Sequence, residues 1–134
     1  LSLGTNESFD KLNEQEFKNQ MSLLVASIQK VAPETAVLLT TPPPSLFKKK
    51  FPNTFAAAYS KVILEQAESW QVGVWDLFSH WGGLYGVPQL AKRGLIAADR
   101  VHYTRNGYDL QGVELFEALK TAYEHYKEPK TNPE

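Results

Sequence analysis

The chain has 134 residues, enough for one domain with one hydrophobic core but not for two. Its 14 Lys and Arg residues nearly balance its 15 Asp and Glu residues. This balance argues against nucleic acid as a partner, because binding phosphates needs a basic face. No apolar run approaches the roughly 20 residues that span a bilayer, so we expect no transmembrane segment. The lack of cysteine excludes disulfides, thiolate chemistry and cysteine-ligated metal sites.

The first half of the chain predicts a strand, a helix and a second strand. The apolar run LSLG at residues 1–4 is typical of the end of a strand. Residues 14–31 place apolar side chains at steps of three and four, which predicts an amphipathic helix that Asn13 caps and Pro33 stops. The continuous apolar run TAVLLTT at residues 35–41 favours a strand buried on both faces, as in a parallel sheet. The buried face of the helix should consist of Phe17, Met21, Leu24, Val25, Ile28 and Val31.

The second half continues the alternation. A proline-marked loop over residues 42–53 precedes a helix over residues 54–70, and VGVWDLF at residues 72–78 predicts a further strand. A short helix is expected at residues 87–93 and a final helix at residues 107–126. The side chains expected to face inward are Ala57, Val62, Leu64 and Ala67 in the first of these helices and Leu110, Val113, Leu115, Phe116, Leu119 and Tyr123 in the last.

This order of elements predicts an α/β fold in which helices flank a parallel sheet and ligands bind at the carboxyl ends of the strands. About three strands make a thin sheet, because edge strands need cover and helices need both faces. We therefore expect residues 1–126 to be the C-terminal part of one larger domain. Residues 127–134, KEPKTNPE, should form a polar tail.

The stretch DRVHYTRNGY at residues 99–108 holds the first candidates for chemistry. Asp99 and His102 stand three residues apart on a predicted loop, where a carboxylate can hold one imidazole nitrogen and leave the other free to accept a proton. A base positioned in this way contributes roughly 10²–10⁴ to a rate. The alternative is structural: Asp99 caps a turn or the last helix, and His102 packs against Tyr103 or Tyr108.

Asn6 is the second candidate, because it directly follows the first predicted strand. A side-chain amide in this place can donate a hydrogen bond to a developing oxyanion, and removing one such donor costs about 10²–10³ in turnover. The alternative is an Asx turn, since asparagine is frequent at strand ends for that reason.

Taken in this order, LSLGTNE and DRVHYTRNGYDLQG resemble the third and fifth conserved blocks of the SGNH (GDSL-type) esterases and lipases. The resemblance implies a flavodoxin-like fold over roughly residues 1–125, with Asn6 as oxyanion donor, Asp99 as triad acid and His102 as base. Glu7 departs from the aspartate that many members carry. With GTNE and GLIAADRVHYTRNGY, the chain is most similar to the peptidoglycan O-acetylesterase branch, which removes acetyl groups from muramic acid in bacterial cell walls.

The nucleophilic serine of that family belongs to a G-D-S motif upstream of the asparagine block, and no GDS occurs in this sequence. None of the serines lies on a glycine-flanked turn from strand to helix. Ser79 comes nearest, but the family places nothing catalytic there. The resemblance therefore implies a serine outside this chain, either in the N-terminal remainder of the same domain or in the partner chain of a two-chain enzyme.

Gly4, His80, Trp81 and Gly82 are further candidates, for substrate binding. Gly4 opens the asparagine block, and the other three follow a predicted strand, where an aromatic face can stack on a sugar ring. The alternative places Trp81 in the core and His80 on the surface.

The chain has one local basic cluster, Lys48–Lys50, which is typical of a solvated loop and otherwise of a contact with an anionic polymer. Arg100 and Arg105 flank the candidate base, where they either meet an anionic glycan or form solvated ion pairs. The three histidines lack the spacing of metal ligands, so we expect no metal site.

The sequence thus predicts a serine esterase that deacetylates a carbohydrate such as peptidoglycan, without cofactor or metal. Two alternatives stay open: a lipase- or lysophospholipase-type esterase of the same fold, and a non-catalytic glycan-binding fragment. The resemblance alone implies a periplasmic, cell-envelope or secreted location.

Overall fold

Helices and short strands alternate along residues 1–127, the part of the chain that the computed structural model describes. A 3₁₀ helix spans Gly83–Tyr85. The α-helices are α1 (Thr5–Asp10), α2 (Glu14–Val31), α3 (Thr54–Trp70), α4 (Leu77–His80), α5 (Val87–Lys92) and α6 (Arg105–Lys127). The strands are β1 (Leu38–Thr40), β2 (Leu46–Phe47), β3 (Phe51–Pro52) and β4 (Gly73–Trp75).

A parallel sheet joins the two halves of the chain. β1 pairs in parallel with β4, and Leu39 lies opposite Val74. On the other side of β1, Ser2 forms an isolated parallel bridge with Thr40, and the Leu1 carbonyl accepts a hydrogen bond from the Thr40 amide at 2.9 Å. The spatial order is therefore residues 1–3, β1 and β4. The predicted α/β fold with a parallel sheet and flanking helices is confirmed.

The strands are shorter than the sequence predicts. Residues 42–44 are prolines, which have no N–H with which to continue the ladder beyond β1. After β4, the Asp76 carboxylate accepts a hydrogen bond from the Ser79 amide at 3.1 Å and caps α4, so Leu77 and Phe78 are helical rather than extended. Burial on both faces of the first predicted strand is also incomplete, because only Leu39 of β1 is buried.

Helices α2 and α3 begin and end where the sequence predicts. Each is capped by an asparagine: the Asn13 side chain accepts a hydrogen bond from the Glu16 amide, and the Asn53 side chain accepts one from the Ala56 amide. In α2 the Glu16 carboxylate also accepts from the Asn13 amide, which completes a capping box. Because these bonds join residues close in the chain, the local sequence pattern was enough to predict where both helices begin.

A helix and a β-hairpin fall where the sequence predicts neither. The GTNE segment forms the first turn of α1, because Gly4 adopts a left-handed conformation and the Glu7 carboxylate accepts a hydrogen bond from the Gly4 amide at 2.9 Å. The predicted loop over residues 42–53 contains the antiparallel pair β2–β3, whose turn places Lys48 and Lys49 in the left-handed region. Alternation of apolar residues over two-residue strands is too short to be read from sequence.

The core consists of two clusters. The first lies between α2, α3 and β1, where Phe17 stacks on Tyr59 with ring centroids 4.0 Å apart. The Tyr59 hydroxyl donates to the Glu7 and Leu12 carbonyls, and burial raises its pKa to about 12, so it stays protonated and fixes α1 to α3. The second cluster packs around the loop after α5 and consists of Leu77, Trp81, Val87, Leu90, Leu95, Ile96 and Tyr103.

Most of the inward-facing side chains predicted for α6 are exposed in the described part of the molecule, so that expectation is wrong. Their exposed fractions are 59% for Val113, 63% for Phe116, 48% for Leu119 and 58% for Tyr123, whereas Leu110 and Leu115 are half-buried. Outside α6, Val31 and Leu64 are exposed as well. The periodicity identified an apolar face correctly, but residues 1–127 do not cover it.

No helix within residues 1–127, α6 included, is both long enough and apolar enough to cross a membrane. The predicted polar tail, residues 127–134, lies outside the described residues except for Lys127 at the end of α6.

The two capping asparagines provide a test of the fold. Asn53 is buried and also donates to the hydroxyls of Ser8 and Ser45, so Asn53→Ala should lower the free energy of unfolding by about 2–3 kcal/mol, measured by urea denaturation. Asn13 is an exposed cap, and Asn13→Ala should cost only about 1 kcal/mol. Equal losses in the two variants would show that the buried network around Asn53 contributes nothing beyond the cap.

Candidate active site

The segment that carries Asp99 and His102 is a closed loop rather than an open connection. Ile96 and Tyr103 form an antiparallel bridge at its base, and the Ala97 amide donates to the His102 carbonyl at 2.8 Å. At its tip the Arg100 amide donates to the Ala97 carbonyl at 3.0 Å, and Arg100 adopts a left-handed conformation with φ 64°. A non-glycine residue in this region signals a loop held by surrounding contacts.

The structure brings Asp99 and His102 together. Asp99 Oδ2 lies 2.7 Å from His102 Nδ1. Its second oxygen, Oδ1, accepts hydrogen bonds from the amides of Val101 at 2.9 Å and His102 at 3.0 Å. One carboxylate therefore both caps the turn and orients the imidazole, a geometry that the structural and the catalytic interpretation share.

The hydrogen bond with His102, followed by those from the Val101 and His102 amides, holds the pKa of the Asp99 carboxyl well below its usual value. Asp99 is therefore ionised at neutral pH and accepts from Nδ1–H, which leaves Nε2 as the imidazole nitrogen that can accept a proton. The His102 side chain is 70% exposed, and no hydrogen-bond partner of its Nε2 occurs among residues 1–127. Packing of His102 into an aromatic pocket is thus not what the structure shows.

The loop is fastened to the segment that follows β1. The Arg100 carbonyl accepts a hydrogen bond from the Leu46 amide at 2.9 Å, and the buried Tyr103 hydroxyl donates to the Pro44 carbonyl at 2.6 Å. Burial raises the pKa of Tyr103 above its usual value, so the hydroxyl remains a donor. Tyr103 packs against the Trp81 ring, with centroids 4.9 Å apart. The Asp99–His102 pair, called the dyad below, is therefore anchored to the second core cluster.

Gly4 and Asn6 lie at the carboxyl end of the residue 1–3 strand segment. A Cβ on Gly4 would meet Pro42 Cγ at 3.1 Å, and its φ of 107° is one that side chains disfavour, so a glycine is needed there. Asn6 is exposed on the first turn of α1, and Glu7 caps that turn. The glutamate that departs from the family pattern thus has a structural role of its own.

One connecting segment, residues 42–46, contacts both the turn that carries Asn6 and the loop that carries the dyad. Pro42 packs against Gly4, and the Leu46 amide donates a hydrogen bond to the Arg100 carbonyl. No hydrogen bond among residues 1–127 joins Asn6 to His102 directly. Both contacts lie beyond the carboxyl ends of the parallel strands, which is where ligands bind in such sheets.

His80, Trp81 and Gly82 form a separate group. Trp81 is 5% exposed, and its indole Nε1 donates to Glu114 Oε2 at 2.6 Å, so its face is not open to a sugar and the core interpretation applies. Gly82 has φ 89°, and a Cβ there would lie 2.9 Å from Gly86 Cα, so a turn accounts for this glycine.

His80 is half-exposed, and its Nε2 lies 3.3 Å from Glu114 Oε2. The pair borders a trough of about 620 Å³ between Trp75 and α6. Sequence inspection did not single out Glu114, because it lies 33 residues from Trp81 and nothing local distinguishes it from other exposed glutamates. Among the described residues, no group of three or more His, Asp or Glu side chains is arranged to hold a metal ion.

The pKa of Asp99, measured by titration to low pH, tests the loop geometry. Because the pKa of Asp99 is lower in the folded chain than in the unfolded chain, its bonds stabilise the loop above the ordinary pKa of 3.8, and this contribution is lost as the pH falls below that value. An NMR titration of the Asp99 carboxyl carbon should give a midpoint well below 3.8. In His102→Ala the midpoint should rise but stay under 3.8, since the Val101 amide still donates. A midpoint unmoved by that substitution would contradict the side-chain hydrogen bond.

No family model and no curated protein matches the chain. Its structure is similar to a peptidoglycan O-acetylesterase, with a TM-score of 0.69 and 22% sequence identity over 90% of this chain and 37% of that one. It is also similar to a lipase/acylhydrolase from Enterococcus faecalis, with a TM-score of 0.67 and 22% identity over 90% of this chain and 60% of that one. A third similar structure is the esterase domain of the zebrafish ZfL2-1 retrotransposon ORF1 protein, with a TM-score of 0.60 and 15% identity over 82% and 61%.

The chain thus spans between about a third and three fifths of the length of these solved structures. At such low identity the similarity concerns the fold. The expectation drawn from the asparagine and D-x-x-H blocks is confirmed at that level: the chain has the α/β fold of the SGNH (GDSL-type) esterases and covers part of it.

Proposed function

We propose that this chain is the portion of an SGNH-type serine esterase that carries the acid and the base of the triad, and that the enzyme removes O-acetyl groups from a carbohydrate such as peptidoglycan. The 2.7 Å contact between Asp99 Oδ2 and His102 Nδ1 carries the proposal. It holds the imidazole in one orientation with Nε2 open to solvent, beyond the carboxyl ends of the parallel strands, where ligands bind in such sheets.

In the proposed first half-reaction, a serine hydroxyl attacks the acetyl carbonyl carbon while His102 Nε2 takes its proton. Asp99 stays ionised and stabilises the imidazolium that forms. The tetrahedral intermediate expels the sugar oxygen, which takes the proton back from His102 Nε2. An acetyl-serine remains. In the second half, water attacks that ester with His102 again as base, and acetate and the free serine are released.

Asn6 is the proposed donor to the oxyanion. Its side chain is exposed on the first turn of α1, and no intramolecular hydrogen bond of its amide occurs among residues 1–127. An uncommitted amide at the strand's carboxyl end is available to a substrate. Gly4 supports it indirectly, since the close packing of Pro42 fixes the turn from which Asn6 projects.

The serine nucleophile is proposed to come from outside this chain. Ser8, Ser45 and Ser60 are buried in the structure, and the first two are hydrogen-bonded to Asn53. Ser79 is exposed on α4, where its amide bonds to Asp76. No serine hydroxyl among the described residues is hydrogen-bonded to His102. A segment of the same domain or a second chain would supply the attacking hydroxyl.

A carbohydrate ester is favoured by the similarity to a peptidoglycan O-acetylesterase and by the exposure of the His102 side chain, which leaves room for a bulky substrate at Nε2. A lipase- or lysophospholipase-type activity is the second candidate, favoured by the similarity to a lipase/acylhydrolase at a nearly equal TM-score. For the favoured substrate we propose a periplasmic, cell-envelope or secreted enzyme, which cell fractionation tests.

Substitution of the dyad should abolish turnover in the longest natural polypeptide that contains this chain. His102→Ala and Asp99→Asn should each lower kcat on p-nitrophenyl acetate by about 10³–10⁴, because the base or its orientation is lost. Asn6→Ala should lower kcat by about 10²–10³. The matched control is His125→Ala, on the exposed surface of α6, which should leave kcat unchanged. Near-normal turnover of His102→Ala would remove His102 from the base role.

Acyl-chain length separates the two substrate classes. Acetyl esters should be hydrolysed faster than esters of eight or more carbons, because the exposed His102 side chain does not lie at the base of an apolar channel formed by the described residues. Comparing kcat/KM on p-nitrophenyl acetate and octanoate measures this, and a higher value for octanoate would favour the lipase-type activity.

A fluorophosphonate probe separates an enzyme from a non-catalytic glycan-binding fragment. The longest natural polypeptide should be labelled on one serine, and labelling should fall by more than tenfold in His102→Ala, because the base activates that serine. The 134-residue chain by itself should stay unlabelled. Absence of labelling in a folded long polypeptide would support the binding fragment instead.

A further inference from the structure

One face of α6 is apolar along its whole described length. Its residues recur at steps of three and four, the spacing that lines up side chains on one side of a helix. We call this face the α6 stripe: Tyr108, Gly112, Leu115, Phe116, Leu119, Tyr123 and Tyr126. Leu115 is half-buried and Gly112 is exposed, and the other five are between 48% and 85% exposed. Five exposed apolar or aromatic side chains in one row exceed the scatter that is normal on a protein surface.

The stripe is continuous with the sheet. At its start, Tyr108, Gly112 and Leu115 share a groove with Ser2 and Thr40, that is, with the outermost strand segment and its neighbour β1. Ser2 pairs on one side only, with Thr40, so the other side of residues 1–3 is an open parallel edge among the described residues. The stripe and the open edge therefore border the same side of the molecule.

Two buried polar atoms in this groove have no partner. Thr40 Oγ1 and Gln111 Nε2 are shielded from solvent and make no hydrogen bond within residues 1–127. Both residues line the groove between the sheet and α6. Buried polar groups are normally hydrogen-bonded, so this pair points to a polar group that enters the groove from outside.

We propose that the α6 stripe and the open edge at residues 1–3 are one docking surface for a polypeptide that adds a parallel strand beside Ser2 and covers the stripe with apolar side chains. This partner rests on the proposed function, since the same polypeptide would bring the serine to His102. It is also the occupant that satisfies every feature together: a strand pairs with the edge, its polar groups reach Thr40 and Gln111, and its side chains bury the stripe.

The fold comparison supports this choice over a second copy of the chain. In the similar solved structures the matched region is accompanied by 39% to 63% of additional chain, which a single polypeptide can contribute to the same sheet. Two copies of this chain would cover the stripes of each other but bring no serine that the site lacks. Self-association is therefore a distinct outcome of the experiment.

Hydrogen exchange compares the 134-residue chain with the longest natural polypeptide that contains it. In the 134-residue chain the amides of residues 112–127 should exchange quickly, and in the longer polypeptide they should be protected at least tenfold more. Equal exchange of these amides in the two polypeptides would overturn the proposal. A natural protein made of only these 134 residues that is monomeric would overturn it as well. Protection that appears with dimerisation of the 134-residue chain, measured by light scattering, would assign the surface to a second copy.

A matched pair of substitutions locates the contact. Leu119→Glu places a charge within the stripe, and Lys120→Glu makes the same change one residue away on the solvated face. Leu119→Glu should remove the extra protection in the longer polypeptide but leave the thermal midpoint of the 134-residue chain unchanged, since Leu119 is half-exposed there. Lys120→Glu should alter neither. If Leu119→Glu keeps the protection, the stripe is not the docking surface.

These readouts are independent of turnover. Protection of the stripe without fluorophosphonate labelling would leave the docking surface standing and remove the esterase function. Fluorophosphonate labelling without protection of the stripe would support the esterase function and remove the docking surface.

Discussion

The segment from Pro42 to Leu46 is the constraint on which the candidate site depends. Its three prolines have no N–H groups, so the chain cannot continue the β1 ladder and must be tied by donors from elsewhere. Tyr103 supplies one such donor to Pro44, and the Asn53 amide supplies another to the Ser45 carbonyl at 3.1 Å. The Leu46 amide in turn fixes Arg100. One short segment thereby positions the Asn6 turn and the Asp99–His102 loop.

The dyad is held by hydrogen bonds within its own loop but is solvated. Two backbone amides fix the Asp99 carboxylate, which in turn orients the imidazole of His102. However, the His102 side chain is 70% exposed, and electrostatic stabilisation is weaker in water than in an enclosed site. The arrangement fits a base that functions when another surface covers it. The α6 stripe is likewise a surface that residues 1–127 leave uncovered.

The errors of sequence interpretation follow from what local patterns contain. The 3.6-residue periodicity of α6 identified an apolar face, but periodicity does not say which part of a protein covers that face, and Phe116 and Leu119 are exposed. The run VGVWDLF was apolar enough for a long strand, yet the cap formed by Asp76 ends β4 after three residues. Trp81 follows a strand, the position expected for a residue that stacks on a ligand. It is nevertheless buried, because Tyr103 packs against its ring and Glu114 accepts a hydrogen bond from its indole.

Local hydrogen bonding is what the sequence by itself determined. Asn13 and Asn53 mark the starts of α2 and α3, and the D-x-x-H spacing contains the Asp99–His102 contact, because each of these bonds joins residues three apart. The alternation of strands and helices likewise sufficed for a parallel α/β fold. Only the tertiary structure decided that residues 42–46 contact both the Asn6 turn and the Asp99–His102 loop, that Glu114 joins Trp81 to His80, and that residues 1–127 leave the apolar face of α6 exposed. Those outcomes depend on contacts between residues far apart in the chain, for which no short stretch of sequence carries a signal.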